Sequence, residues 1–105
     1  MRVITGTARG RVLRTLEGED VRPTTDRVKE AVFSIIQFEI EGRRVLDLFA
    51  GSGQLGIEAL SRGAASATFV DMSKDSLSAV KYNLEHTKLG DNAKVVQTDA
   101  LSFLK

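Results

Sequence analysis

The sequence predicts an α/β fold built on a parallel, doubly wound sheet, and three observations carry that prediction. Between residues 45 and 105, short apolar runs alternate with longer amphipathic segments at the spacing of strand, crossover helix and strand. Gly51, Gly53 and Gly56 stand in G-x-G-x-x-G register at the first strand-to-helix junction. The 105 residues, 42% of them hydrophobic, suffice for one modest core and hence for one small domain.

Residues 2–5 (RVIT) and 11–16 (RVLRTL) read as short strands around a turn spanning Gly6 to Gly10, which makes an N-terminal β-hairpin. A polar connection, residues 17–25, follows. After Pro23, Thr24 or Thr25 is placed to cap a helix whose Val28, Ala31, Val32, Ile35 and Ile36 fall at i, i+3, i+4, i+7 and i+8, one stripe for a core. Gly42 breaks it. Val45–Ala50 is short, continuous and apolar, as a strand buried on both faces should be. A helix over about 54–62 ends at Gly63, and 67–71 (ATFVD) is the second strand. Ser73 opens a helix over about 74–88 that closes before Gly90. Residues 94–98 (KVVQT) are the third strand, and DALSFLK begins another helix. There is no internal repeat and no low-complexity tract.

Net charge is only +1, but it is unevenly spread. Residues 1–16 hold Arg2, Arg9, Arg11 and Arg14 without an acid, whereas residues 45–105 hold six bases against seven acids. A basic arm of this kind suits a phosphate-rich partner. The absence of cysteine excludes a disulfide framework, a thiolate metal site and a cysteine nucleophile, and the lone His86 cannot build a zinc centre. No run approaches the roughly 20 apolar residues of a membrane span, and no signal-peptide core is present, so the expected location is the cytoplasm.

In a doubly wound sheet the first strand-to-helix turn lies at the crevice where ligands bind, and glycines there let the backbone approach the ligand. Asp71, at the end of the second strand, can accept hydrogen bonds from both hydroxyls of a ribose. To this point a dinucleotide and S-adenosylmethionine fit equally well. Asp47, at the end of the first strand, discriminates. A pyrophosphate would meet only repulsion there, whereas a ligand with an ammonium and a sulfonium would be attracted. Asp99 ends the third strand and can take an adenine amino group, with the Ala100 amide beside it; it can serve at the same time as a helix N-cap. Acids at three consecutive strand ends favour a cationic adenosyl ligand.

The stretches RVITGTARGRVL (2–13), RPTTDRVKEAVF (22–33), DLFAGSGQLGIEALSRGA (47–64) and TDAL (98–101) resemble the bacterial small-subunit rRNA guanine-N2 methyltransferases of the RsmD type, in the family's order over nearly the whole chain. The D-x-F-A-G-S-G form is shared with other amino-group methyltransferases; its combination with R-P-T-T-D-R-V and the arginine-rich start narrows the resemblance to this family. The implied fold is the Rossmann-like S-adenosylmethionine-dependent methyltransferase fold, here the first half of its sheet preceded by a hairpin and helix. The resemblance implies that Asp47, Phe49, Ala50, Gly51, Ser52 and Gly53 cradle the methionine part, with Gly56 completing the glycine motif. It implies that Asp71 holds the ribose, that Asp99 with Ala100 reads the adenine, and that Met72 is among the cofactor-binding residues. Arg22, Pro23 and Thr24 would close over the methionine end, and Arg9, Arg11 and Arg14 would touch RNA. Asp71 stands where relatives often carry Glu, and either carboxylate can do that work.

Such enzymes present the acceptor amine from an Asn/Asp-Pro-Pro-aromatic loop after a fourth strand. Pro23 is the only proline here, so no catalytic residue is assigned within the chain and that loop is expected beyond Lys105. The expected organisation is a basic hairpin arm over 1–21 and, over 22–105, the cofactor-binding portion of a longer methyltransferase. The expected partners are ribosomal RNA or a small-subunit assembly particle, without metal or membrane, and the isolated portion is expected to self-associate along its unpaired first strand. Two other classes stay open: an NAD-dependent oxidoreductase, and a non-catalytic RNA-binding or assembly module.

Overall fold

The computed structural model describes residues 2–15, 23–36 and 38–105, apart from the side chains of residues 23–26 and 28. The element order is α1 (Pro23–Ile36), β1 (Arg44–Asp47), α2 (Gln54–Ser61), β2 (Ser66–Asp71), α3 (Lys74–Thr87), a 3₁₀ turn (Gly90–Asn92), β3 (Ala93–Gln97) and α4 (Ala100–Leu104). The strands form one parallel sheet in the order β1-β2-β3, with Asp47 opposite Phe69 and Asp71 opposite Gln97. That register brings the ends of all three strands to one edge, where the junctions to α2, α3 and α4 converge.

Phe69, Val70, Ile57 and Val80 have no solvent exposure and anchor the packing between sheet and helices. Ser73 caps α3 by accepting the Ser76 amide at 3.2 Å. β1 is shorter than the apolar run suggests, because Leu48–Ala50 already bend into the glycine turn while the Ala50 amide still reaches the Val70 carbonyl at 3.0 Å.

Two expectations need correction. The N-terminal hairpin is shorter than expected: among the described residues it has one antiparallel bridge, Arg2 to Val12, closed by the Val3 amide on the Arg11 carbonyl at 3.0 Å and the Gly10 amide on the Val3 carbonyl at 2.9 Å, without regular strands. Its residues 4–8 are drawn onto α2 instead. Glu58, fully buried, accepts the Ile4 amide at 2.8 Å and the Thr5 amide at 3.1 Å; Ser61 Oγ accepts the Ala8 amide at 3.0 Å and donates to the Thr5 carbonyl at 2.6 Å. Val3, Ala8 and Leu13 therefore belong to the same core cluster as Ile57 and Phe69.

The second correction concerns α1. Thr24 and Thr25 lie inside the helix, which opens at Pro23, a residue whose fixed φ suits a first helical position. The buried stripe runs through Lys29 and Phe33 to the half-buried Ile36, while Val32 and Ile35 are exposed. Lys29 can turn inward because its Nζ lies 3.3 Å from Glu58 Oε1 and donates to the Arg2 carbonyl at 3.0 Å. Val32, Ile36, Leu46, Phe49 and Leu55 instead line an open apolar groove of about 450 Å³ beside β1, whose strand partner among the described residues is β2 alone.

Candidate functional site

The turn after β1 is held open by left-handed backbone at Gly51 (φ 55°) and Gly53 (φ 85°), a region costly for side-chain-bearing residues. Gly53 is the N-cap of α2, and its amide closes the turn onto the Ala50 carbonyl at 2.8 Å. Ser52, buried between them, offers its carbonyl to Asn83 Nδ2 at 2.9 Å. Gly56 serves packing: a Cβ there would lie 2.3 Å from Phe69 Cε1, so its absence lets α2 sit on β2.

Asp47 ends β1 beneath this turn, and its Oδ2 is buried with no hydrogen-bond partner among the described residues. Burial raises its pKa above the ordinary carboxylate value; the Phe49 and Gly56 amides oppose the shift, and the neighbouring Asp71 charge adds to it. Gln54 Oε1, at the first residue of α2, is likewise buried without a partner among the described residues. Unsatisfied acceptors at the mouth of a glycine turn suit a donor-bearing, positively charged ligand group.

Asp71 ends β2 and, among the described residues, accepts the Gly51 amide at 3.0 Å through Oδ2 and the Ser73 amide at 2.9 Å through Oδ1. A carboxylate has about four lone-pair positions, so acceptor capacity remains on both oxygens. Asp99 is the N-cap of α4: Oδ1 accepts the Ser102 amide at 2.7 Å and Oδ2 the Ser102 hydroxyl at 2.9 Å, and these bonds, the amide first, hold its pKa below the usual range. Leu48, Phe49, Asp71, Met72, Thr98, Asp99 and Ala100 together line a cleft of about 250 Å³. Phe49 and Met72 are strongly exposed beside it.

The structure thus gathers Asp47, Phe49, Ala50, Gly51, Ser52, Gly53, Gly56, Asp71, Met72, Asp99 and Ala100 at one edge of the sheet. Arg22 lies outside the described residues, and so do the side chains of Pro23 and Thr24, which open α1. Arg9, Arg11 and Arg14 are exposed on the N-terminal segment. Gln54 and Asn83 escaped the sequence reading. Gln54 directly follows the G-S-G turn, and Asn83 is a polar residue three positions after Val80 on the buried face of α3, which is the signal each offered.

The family model described as conserved hypothetical protein 95 matches residues 1–105. The chain is 50% identical over 100 residues to YlbH of Bacillus subtilis, covering 95% of this chain and 54% of that protein. It is 46% identical over 104 residues to the ribosomal RNA small subunit methyltransferase D of Escherichia coli, covering 99% of this chain and 52% of the relative. The solved structure of Escherichia coli yhhF superposes with a TM-score of 0.88 at 46% identity, over 99% of this chain and 56% of that one. The chain spans about half the length of the curated relatives it matches.

Proposed function

We infer a function from the family: the chain belongs to the conserved hypothetical protein 95 family, which is the RsmD family, and we read it as the cofactor-binding part of an S-adenosylmethionine-dependent methyltransferase. The acceptor we propose is the N2 amine of a guanine in small-subunit (16S) ribosomal RNA. The observation that carries this reading is the buried Oδ2 of Asp47 under the Gly51–Gly53 turn, which has no partner among the described residues. A dinucleotide pyrophosphate would be repelled there, whereas an ammonium would satisfy the orphaned acceptor.

In this reading Asp47 and the Gly51–Gly53 turn hold the methionine part, and Asp71 uses its remaining lone pairs for the ribose hydroxyls. Asp99 and the Ala100 amide take the adenine edge between Phe49 and Met72. Arg22, Pro23 and Thr24 are assigned to the methionine end by family resemblance. When bound, S-adenosylmethionine supplies an electrophilic methyl group. The contribution of these residues is positioning and exclusion of water, which makes an encounter of methyl donor and amine effectively intramolecular.

We assign residues 1–21 to a basic arm that contacts ribosomal RNA or an assembling small subunit through Arg9, Arg11 and Arg14, and residues 22–105 to the cofactor-binding portion. A ribosomal substrate places the enzyme in the cytoplasm. The groups that present the acceptor amine belong to the rest of the full-length enzyme, and the groove beside β1 is where that part would pack; left uncovered, it favours self-association.

Calorimetry tests the cofactor class: S-adenosylhomocysteine binds and NADH does not. Radiolabel transfer to small-subunit particles tests the reaction, with turnover expected from the full-length enzyme or its two halves mixed and none from the 105-residue chain alone. Binding of NADH in place of the adenosyl ligand would overturn the reading.

A further inference from the structure

Asn83 fixes Arg14 against α3 through two backbone hydrogen bonds, accepting the Arg14 amide at 2.7 Å through Oδ1 and donating to its carbonyl at 2.9 Å through Nδ2. So held, the Arg14 guanidinium lies 4.0 Å from the centroid of the Tyr82 ring. One turn along α3, His86 stacks on Tyr82 with centroids 5.9 Å apart and planes inclined by only 12°. All three side chains are exposed, Tyr82 to 43%. A guanidinium over the Tyr82 ring and a second ring nearly parallel to it thus make an exposed π stack on the outside of the molecule.

None of these rings is needed to close the core, since neither Tyr82 nor His86 belongs to the buried cluster. The flanks set the charge. Arg9 and Arg11 are exposed on the same N-terminal segment, whereas Glu85 lines a separate groove with Lys81 and Lys88 on the flank of α3 nearer β3. A cationic segment running into exposed stacked rings has the composition by which unpaired nucleobases are held, with phosphates neutralised beside the stack.

We propose that Arg14, Tyr82 and His86 form a stacking platform for an unpaired base of single-stranded RNA, a contact that rests on the RNA methyltransferase reading and lies outside the cofactor site. Asn83 is its positioning residue, and because the same Nδ2 also donates to the Ser52 carbonyl, the platform is tied to the glycine turn through a single side chain. The platform reads base faces, not base edges, so it tolerates sequence and requires single strands.

The test is fluorescence anisotropy with the full-length enzyme, a labelled 12-nucleotide single-stranded RNA and the same sequence as a duplex. Tyr82→Ala should weaken single-strand binding by roughly tenfold, within what one base–aromatic stack contributes. It should leave duplex binding, the salt slope and S-adenosylhomocysteine affinity unchanged, the last showing that the variant is folded. Tyr82→Phe should bind like wild type, His86→Ala should show a smaller loss than Tyr82→Ala, and Arg14→Gln should lower both affinity and salt slope. Wild-type affinity in Tyr82→Ala, with methyl transfer intact, overturns the platform and leaves the enzymatic reading standing. Failure of the wild-type enzyme both to bind RNA and to transfer methyl groups overturns both.

Discussion

Gly51 and Asp71, twenty residues apart, are joined by a 3.0 Å hydrogen bond from the Gly51 amide to Asp71 Oδ2. The carboxylate assigned to the ribose therefore also holds the turn assigned to the methionine part. Asp71→Ala should weaken S-adenosylhomocysteine binding by about 1–3 kcal/mol, the scale for stranding hydrogen-bonding groups in a closed site. Asp71→Asn, which keeps one acceptor oxygen, should fall between. Unchanged affinity in calorimetry would remove Asp71 from both roles.

Asp47 should oppose folding while serving binding. Its folded pKa is raised, chiefly by burial, above a value near the ordinary one in the unfolded chain. The stability associated with its protonated form is complete below the unfolded value, about pH 4, and is lost as pH rises through the folded value. At neutral pH Asp47→Asn should therefore raise the Tm of the ligand-free protein and flatten its decline with pH. The same change should weaken S-adenosylhomocysteine binding by about tenfold or more, as expected for losing a charge-assisted bond. A lower Tm in Asp47→Asn would contradict the assigned burial cost.

Gly56→Ala should cost about 1–3 kcal/mol, the usual range for overpacking, because its Cβ would stand 2.3 and 2.7 Å from Phe69 Cε1 and Cζ. Phe69 is fully buried and cannot swing into solvent. Combining Gly56→Ala with Phe69→Leu should destabilise less than the two changes summed, since the second makes room for the first. Urea midpoints for the four proteins decide it, and strict additivity would show that the clash is relieved elsewhere.

Replacing Arg9, Arg11 and Arg14 with Gln should reduce the salt dependence of RNA binding, with each lost phosphate contact removing about 0.7–0.9 from the slope. Cofactor affinity should not change. An unaltered slope would mean that these arginines are only a solvated face.

The alternation from β1 to α4 was legible in the sequence because each element there carries its own periodicity and its own stop signal. Ser73 and Asp99 cap α3 and α4 as their positions suggested, and the glycine turn lies at the strand ends. α1 was misread in its facing for a physical reason. Val32 and Ile35 form a valid apolar stripe, but Val32 borders a groove that is open and Ile35 faces solvent, while Lys29 is buried because Glu58, 29 residues away, neutralises it. The hairpin is minimal on the same ground: the Val3 amide still donates to the Arg11 carbonyl, but the Ile4 and Thr5 amides, which could extend the ladder, donate to Glu58 on α2 instead. Long-range pairing of polar groups leaves no trace in local pattern.

Glu58 also has a consequence in time. With oxygens to Ile4, Thr5, Lys29 and Arg62, it is the acceptor on which the start of the chain hangs. On a ribosome, residues 4–8 emerge before α2, and the groups that satisfy their amides are made more than fifty residues later, while Arg14 waits for Asn83. Loop closure over such separations is entropically slow. This segment is thus exposed to solvent, proteases and chaperones until α2 has been synthesised, and the arginines it carries can take up their places only after the elements that follow them exist.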